Sequence, residues 1–126
     1  MTDYSICWQT ALGLGKRIRN GELKSVEVVE TLTSAIREFN GPINAVVTLD
    51  EDAAVDRARE IDRQIQSGEL SDSPLAGVPF LAKDLDVTAG VRTTFGSLVQ
   101  QDYVPQWDML HIARLKAAGC VLLGKT

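Results

Sequence analysis

The sequence holds one histidine, two cysteines and two tryptophans, and its basic residues are scattered, with no run of them forming a stripe. Each scarcity excludes something. A zinc site needs several Cys or His ligands brought together, and His111 with the widely separated Cys7 and Cys120 gives it little to work with. Two cysteines do not make a disulfide framework, and Cys120, set in an apolar run, reads as a buried free thiol. The 13 Lys and Arg residues are outnumbered by 17 Asp and Glu, for a net charge of −4. Nucleic-acid binding draws on a basic face that displaces counterions, and no such stripe is present, so no nucleic-acid partner is expected. No stretch reaches the roughly 20 apolar residues of a membrane helix. The start, MTDYSICWQTALGLGKRIRN, lacks a long apolar segment behind a basic one. The expectation is a soluble, cytoplasmic chain with no membrane contact.

What is present is ordinary globular composition. With 126 residues, 44% of them hydrophobic and 24% charged, the chain fits one compact domain. A chain of this size can bury roughly 65% of the surface it exposes when unfolded. Periodicity predicts a first helix over 8–19, with Ala11, Leu14, Gly15 and Ile18 on one face and Gly13 and Gly15 weakening it. A second helix runs from Ser25 as N-cap through Val29, Leu32, Thr33, Ile36 and Phe39, ending at Asn40-Gly41-Pro42. Residues 44–49 read as a short strand buried on both faces, 51–66 as a third helix, and 67–77 as a surface loop. Residues 78–83 form a second strand with Pro79 near its start, since a central proline removes a ladder donor. A long patternless loop covers 84–107, a fourth helix 108–118, and a last strand 120–123. Alternating helices and strands argue for an α/β fold with a layered, largely parallel or mixed sheet covered by helices. The last strand has no helix after it, so an open C-terminal edge is expected, one that invites self-association or a partner.

Lys83 is the most informative residue. It closes an apolar strand, and in open α/β sheets ligands gather beyond the carboxyl ends of strands. Half-burial there favours the neutral amine, which can take a proton from a nucleophile as in Ser–Lys catalysis. On local features alone, pairing with Asp84 or Asp86 explains it as well. Thr93, Thr94, Gly96 and Ser97, with Asp84, could frame a site near Lys83; equally, they are turn residues whose hydroxyls bond local backbone. Gly119-Cys-Val-Leu-Leu-Gly124-Lys125-Thr126 matches the letters of a phosphate-binding P-loop, but its middle is apolar and reads as strand, with no helix following. Nucleotide binding through 119–126 is therefore a remote alternative. Trp8 and Trp107 read as packing residues, and the acidic run at 50–52 as a solvated helix start.

Four ordered pieces carry a wider likeness: Pro74-Leu75-Ala76-Gly77; Gly77 through Lys83-Asp84; Ala89-Gly90 through Thr93-Thr94-Phe-Gly96-Ser97; and Asp108 through Gly119 to Gly124-Lys125-Thr126. Together they resemble the amidase signature family, from about Ser25 to the end. The resemblance implies the N-terminal part of a single amidase domain, with 1–42 a helical lead-in and 43–126 a βαβ-loop-αβ core. It implies hydrolysis of a small-molecule carboxamide to carboxylate plus ammonia or amine by a Ser-Ser-Lys mechanism. Lys83 would be the base to a serine held in a cis peptide, which relays a proton from the nucleophilic serine. The resemblance implies no metal or organic cofactor. The family's serine-bearing segment lies downstream of the Gly-Lys-Thr motif, so this chain is expected to lack turnover by itself. The alternative is a non-catalytic fragment or a partner-binding remnant. Val91-Arg92 and Phe95 depart from the family's loop.

Overall fold

A computed structural model describes residues 3–126. Met1 and Thr2, within the starting segment MTDYSICWQTALGLGKRIRN, lie outside the described residues. A 3-10 turn, Ser5–Trp8, precedes α1 (Ala11–Arg19), so the first helix begins three residues later than its periodicity suggests. The reason is Thr10, whose hydroxyl accepts from the Gly13 N–H at 3.1 Å and caps the first turn. Leu14, Gly15 and Ile18 are buried as the stripe predicts, while Ala11 is exposed.

Helix α2 spans Ser25–Ile43. Ser25 is its first residue and not its cap. The capping anion comes from another helix: Asp62 accepts from the backbone N–H of Ser25 at 2.7 Å and of Val26 at 3.2 Å. A carboxylate satisfies the free donors and meets the positive end of the helix dipole. The Ser25 hydroxyl donates instead to the Gly77 carbonyl at 2.9 Å. Pro42 does not stop the helix at Asn40; it sits in the last turn, and Asn44 in the left-handed conformation (φ 50°) closes it.

The strand expected over 44–49 shrinks to β1, Thr48–Leu49, and neither residue is fully buried. The side chain of Asn40 grips Val46 through two 2.9 Å bonds, Nδ2 to the carbonyl and N–H to Oδ1, which holds the preceding residues as a loop. Helix α3 spans Glu51–Ser67, and Gly68 (φ 89°) ends it as expected. Strand β2 is Pro79–Ala82, α4 is Leu110–Ala117 and β3 is Val121–Lys125.

The sheet order is β1-β3-β2, antiparallel between β1 and β3 and parallel between β3 and β2. The last strand is thus central, flanked on both sides, and the open C-terminal edge expected from sequence does not exist. It is also longer than expected, because Gly124 and Lys125 continue the pairing. Gly124 fits there for want of a side chain: a Cβ would lie 1.9 Å from the Thr48 carbonyl oxygen. Pro79 opens β2 at the sheet's edge, where its missing N–H does no harm. One core joins Val29 of α2 with Ala54, Ala58 and Ile61 of α3 and Val121 and Leu123 of β3. A second joins Leu14 and Ile18 of α1, Val28 of α2 and Val78.

Gly15 is a packing residue and not a weakness of α1. A Cβ at this position would stand 2.1 Å from the Pro74 carbonyl oxygen, so α1 lies directly on the loop that leads into β2. Gly15→Ala therefore should destabilise the chain, although alanine is the better helix former by about 1 kcal/mol. Overpacking typically costs about 1–3 kcal/mol, and a net loss of up to about 2 kcal/mol is expected in denaturant unfolding. A gain in stability would contradict the close approach.

Candidate functional site

Strands β2 and β3 run parallel, and their carboxyl ends lie side by side with Ala82 opposite Lys125. Beyond them the chain is tied across the gap: the Thr126 N–H donates to the Ala82 carbonyl at 2.9 Å, and the Asp84 N–H to the Thr126 carbonyl at 2.8 Å. Lys83 lies between these two ties. It is exposed, and the half-burial expected for it is absent, because β2 is an edge strand and the chain turns immediately, with the Asp86 N–H donating to the Lys83 carbonyl at 2.8 Å.

Lys83 lines an open cavity of about 320 Å³ together with Val47, Asp84, Leu85, Phe95, Gly96 and Thr126. Asp84 organises its far wall. This carboxylate is 9% exposed, accepts from the Thr94 N–H at 3.0 Å and from the Thr94 hydroxyl, and its own carbonyl accepts from the Phe95 N–H at 2.9 Å. Pairing of Lys83 with Asp84 or Asp86, the plain explanation of Lys83, is not seen among the described residues; Asp84 is occupied by Thr94, and Asp86 faces His111 at 3.3 Å. Phe95 holds a positive φ of 55° and stacks on Tyr103 at 6.1 Å between centroids. Gly96 follows at φ 68°. Left-handed backbone at consecutive residues, one of them aromatic, marks a constrained bend.

The residues expected to frame the site thus divide. Asp84 and Gly96 line the cavity of Lys83, and Thr94 is bonded to Asp84 behind that wall. Ser97 turns away: its hydroxyl accepts from the Val99 N–H at 3.2 Å and caps the 3-10 turn Leu98–Gln100. Thr93 also turns away, its hydroxyl donating to the Val91 carbonyl at 3.1 Å. The loop 84–107 is far from patternless. Beside local turns it makes bonds to groups distant in sequence, including the Ala89 N–H to Asp108 at 2.8 Å and the Met109 N–H to the Val87 carbonyl at 2.9 Å. Asp108 is held by Ala89 and by the Lys116 ammonium at 2.8 Å, which is why α4 starts at Leu110 and not at Asp108. Although burial works against ionisation of Asp108, the bonds from Lys116 and Ala89 outweigh it and hold the carboxyl below its ordinary value.

Sequence reasoning passes over Lys125 except as a letter in the P-loop pattern. Its side chain is 0% exposed, and its ammonium donates to the Asp86 carbonyl, to Thr88 Oγ1 at 2.7 Å and to Thr93 Oγ1 at 3.2 Å. With β3 running through the motif and its lysine consumed internally, 119–126 offers no phosphate cradle. The available signal is a lysine at the end of an apolar strand, the same signal that draws attention to Lys83. Cys120 is buried and free, and burial raises its thiol above the ordinary value. Trp8 and Trp107, expected to pack, are 88% and 57% exposed. His111 is exposed on α4. Among the described residues no group of three or more His, Cys, Asp or Glu could hold a metal ion, and no helix is long and apolar enough to cross a membrane.

The amidase family model matches residues 27–126, four-fifths of the chain and all of the site. The chain belongs to the amidase family. It is 39% identical over 117 residues to a glutamyl-tRNA(Gln) amidotransferase subunit of Lachnoclostridium phytofermentans, covering 93% of this chain and 24% of that protein. The corresponding subunit of Cutibacterium acnes is 42% identical over the same length, with 23% of it covered. Among solved structures, the peptide amidase of Stenotrophomonas maltophilia superposes with a TM-score of 0.90 at 35% identity, covering 98% of this chain and 26% of that one. A bacterial aryl acylamidase of the amidase signature family superposes at 0.86 with 28% identity, covering 94% and 25%. The chain spans about a quarter of the length of the relatives it matches.

The buried lysine gives stability a definite pH dependence. Burial holds the Lys125 ammonium below the ordinary lysine value; Asp84 and Asp86, and more weakly Asp108, oppose that shift, and Lys116 adds to it. The unfolded chain keeps this proton up to about pH 10.4, so below that value folding disfavours the charged form. The unfolded state then binds more protons, and stability rises with pH. The unfolding free energy of the wild type relative to Lys125→Met should increase from neutral pH toward about pH 10. The raised Cys120 thiol acts in the opposite sense but is common to both chains. A flat difference would refute the assignment.

Proposed function

We propose that this chain supplies the lysine base of an amidase that hydrolyses carboxamides to carboxylate and ammonia or amine by Ser-Ser-Lys chemistry. The observation that carries the proposal is the position of Lys83 at the carboxyl end of the parallel β2–β3 pair. There it opens into a cavity shared with Asp84 and Gly96 in a chain of the amidase family. Ligands of α/β sheets collect at this edge. An exposed amine facing a cavity can meet hydroxyl groups brought in from elsewhere. In this reading Lys83 takes a proton from a serine, which takes it in turn from the nucleophilic serine, and backbone N–H groups bind the oxyanion. The tie of Asp84 to Thr94 keeps the nearest carboxylate occupied and leaves the amine free for that exchange.

The substrate class stops at the carboxamide. The matched relatives include a peptide amidase, an aryl acylamidase and one component of an amidotransferase, and what they share is the amide bond. A lysine without a nucleophile does not transfer acyl groups. The 126-residue chain should therefore be inactive on simple amides by itself, whereas a longer polypeptide that joins it to the family's serine-bearing segment should turn them over.

A second reading treats the chain as a partner-binding body without activity of its own. It is favoured by exposed apolar side chains along one segment: Leu98 and Val99 at 85% and 89%, Trp107 at 57% and Leu110 at 66%. Such a surface normally packs against further polypeptide. The two readings part in one experiment. Lys83→Ala in that longer polypeptide should lower kcat about 10²–10⁴-fold, the usual contribution of a general base. Undiminished turnover in that variant would remove Lys83 from the mechanism.

A further inference from the structure

Lys125 stands opposite Ala82, the residue before Lys83, and is wholly buried. An ammonium carries three N–H donors and no acceptor. Three oxygens receive them: the Asp86 carbonyl, Thr88 Oγ1 at 2.7 Å and Thr93 Oγ1 at 3.2 Å. Both hydroxyls direct their own protons elsewhere, Thr88 to the Asp86 carbonyl at 2.8 Å and Thr93 to the Val91 carbonyl at 3.1 Å. Each therefore has only lone pairs to offer, and donors and acceptors match one for one. A buried polar network of this kind holds one geometry because any other leaves a buried group unpaired.

We propose that Lys125 is a positioning residue that pins Asp86, Thr88 and Thr93 to the end of β3 and thereby fixes where Lys83 leaves β2. This rests on the reading of Lys83 as the base. The stretch carrying Lys83 is held at both ends by β3 and its continuation: Asp84 N–H bonds the Thr126 carbonyl at 2.8 Å, and the Asp86 carbonyl bonds Lys125. The grip on Thr93 continues into Thr94, whose N–H and hydroxyl reach Asp84 beside the amine. Removing the ammonium frees the turn after Lys83 and the far wall of the cavity together, while the contacts of α2 and α3 with Val121 and Leu123 stay in place.

The test compares the wild type with Lys125→Met, which keeps length and apolar shape but deletes all three donors. A paired Thr88→Val, Thr93→Val variant keeps the lysine and removes two acceptors, and it serves if the first fails to fold. Backbone amide exchange should accelerate about tenfold or more at Asp84, Thr93 and Phe95 and stay within about twofold at Ala58 and Ile61 of α3, the pattern of local opening. In a polypeptide that joins this chain to the family's serine-bearing segment, kcat on a simple carboxamide should fall about tenfold, with KM changed less than about twofold. Uniform acceleration across α3, or no acceleration at Asp84 and Phe95, would overturn the pinning role. Local acceleration with unchanged kcat would overturn its consequence for Lys83. A fully active Lys83→Ala variant would sink the base assignment instead, and the exchange data would still decide the pin.

Discussion

The parallel pairing of β2 with β3 is the constraint on which the rest of the molecule hangs. It sets Pro79 against Val121 and Ala82 against Lys125, so that the two lysines emerge at one end of one strand pair. A register shift between Phe80 and Leu81 leaves Leu123 as an extra residue in β3. Strict alternation would place Val121, Leu123 and Lys125 on one face of the sheet. The shift breaks that alternation. Val121 and Leu123 pack on α3, while Lys125 reaches the loop that follows β2. One irregularity thus separates the apolar support of the site from its polar frame.

The helices serve this pair from one side. Asp62 on α3 caps α2, and the Ser25 hydroxyl binds the Gly77 carbonyl just before β2. Gly15 lets α1 press on the Pro74 carbonyl in the same connection. The entry to β2 is therefore fixed by three helices and its exit by the Lys125 network and the ties to Thr126. A short edge strand gains rigidity at both ends in this way, as the role proposed for Lys83 at its tip requires.

Much of this was legible in residues alone. The spacing of Leu14, Gly15 and Ile18, the glycine stop at Gly68 and the placement of Pro79 at the head of a strand all appear as read. So does the family likeness carried by the motifs from Pro74 onward. The failures have physical causes. Val46 and Val47 have strand-forming side chains, yet the amide of Asn40 claims Val46 and only two residues pair. Asp108 looks like a helix start, yet it is drawn to Ala89 and Lys116. Ser25 looks like a cap, yet a carboxylate from another helix occupies that role.

The sequence by itself determined the presence of the helices and the family, and it drew attention to Lys83, because these depend on periodicity and on motifs contiguous in the chain. Tertiary structure alone decided which strand is central, and which threonines face Lys125 and which faces Asp84. It also decided that Lys83 stands open while Lys125 is enclosed. Two lysines at the ends of apolar strands carry the same local signal. Only the distant loop that closes over one of them tells them apart.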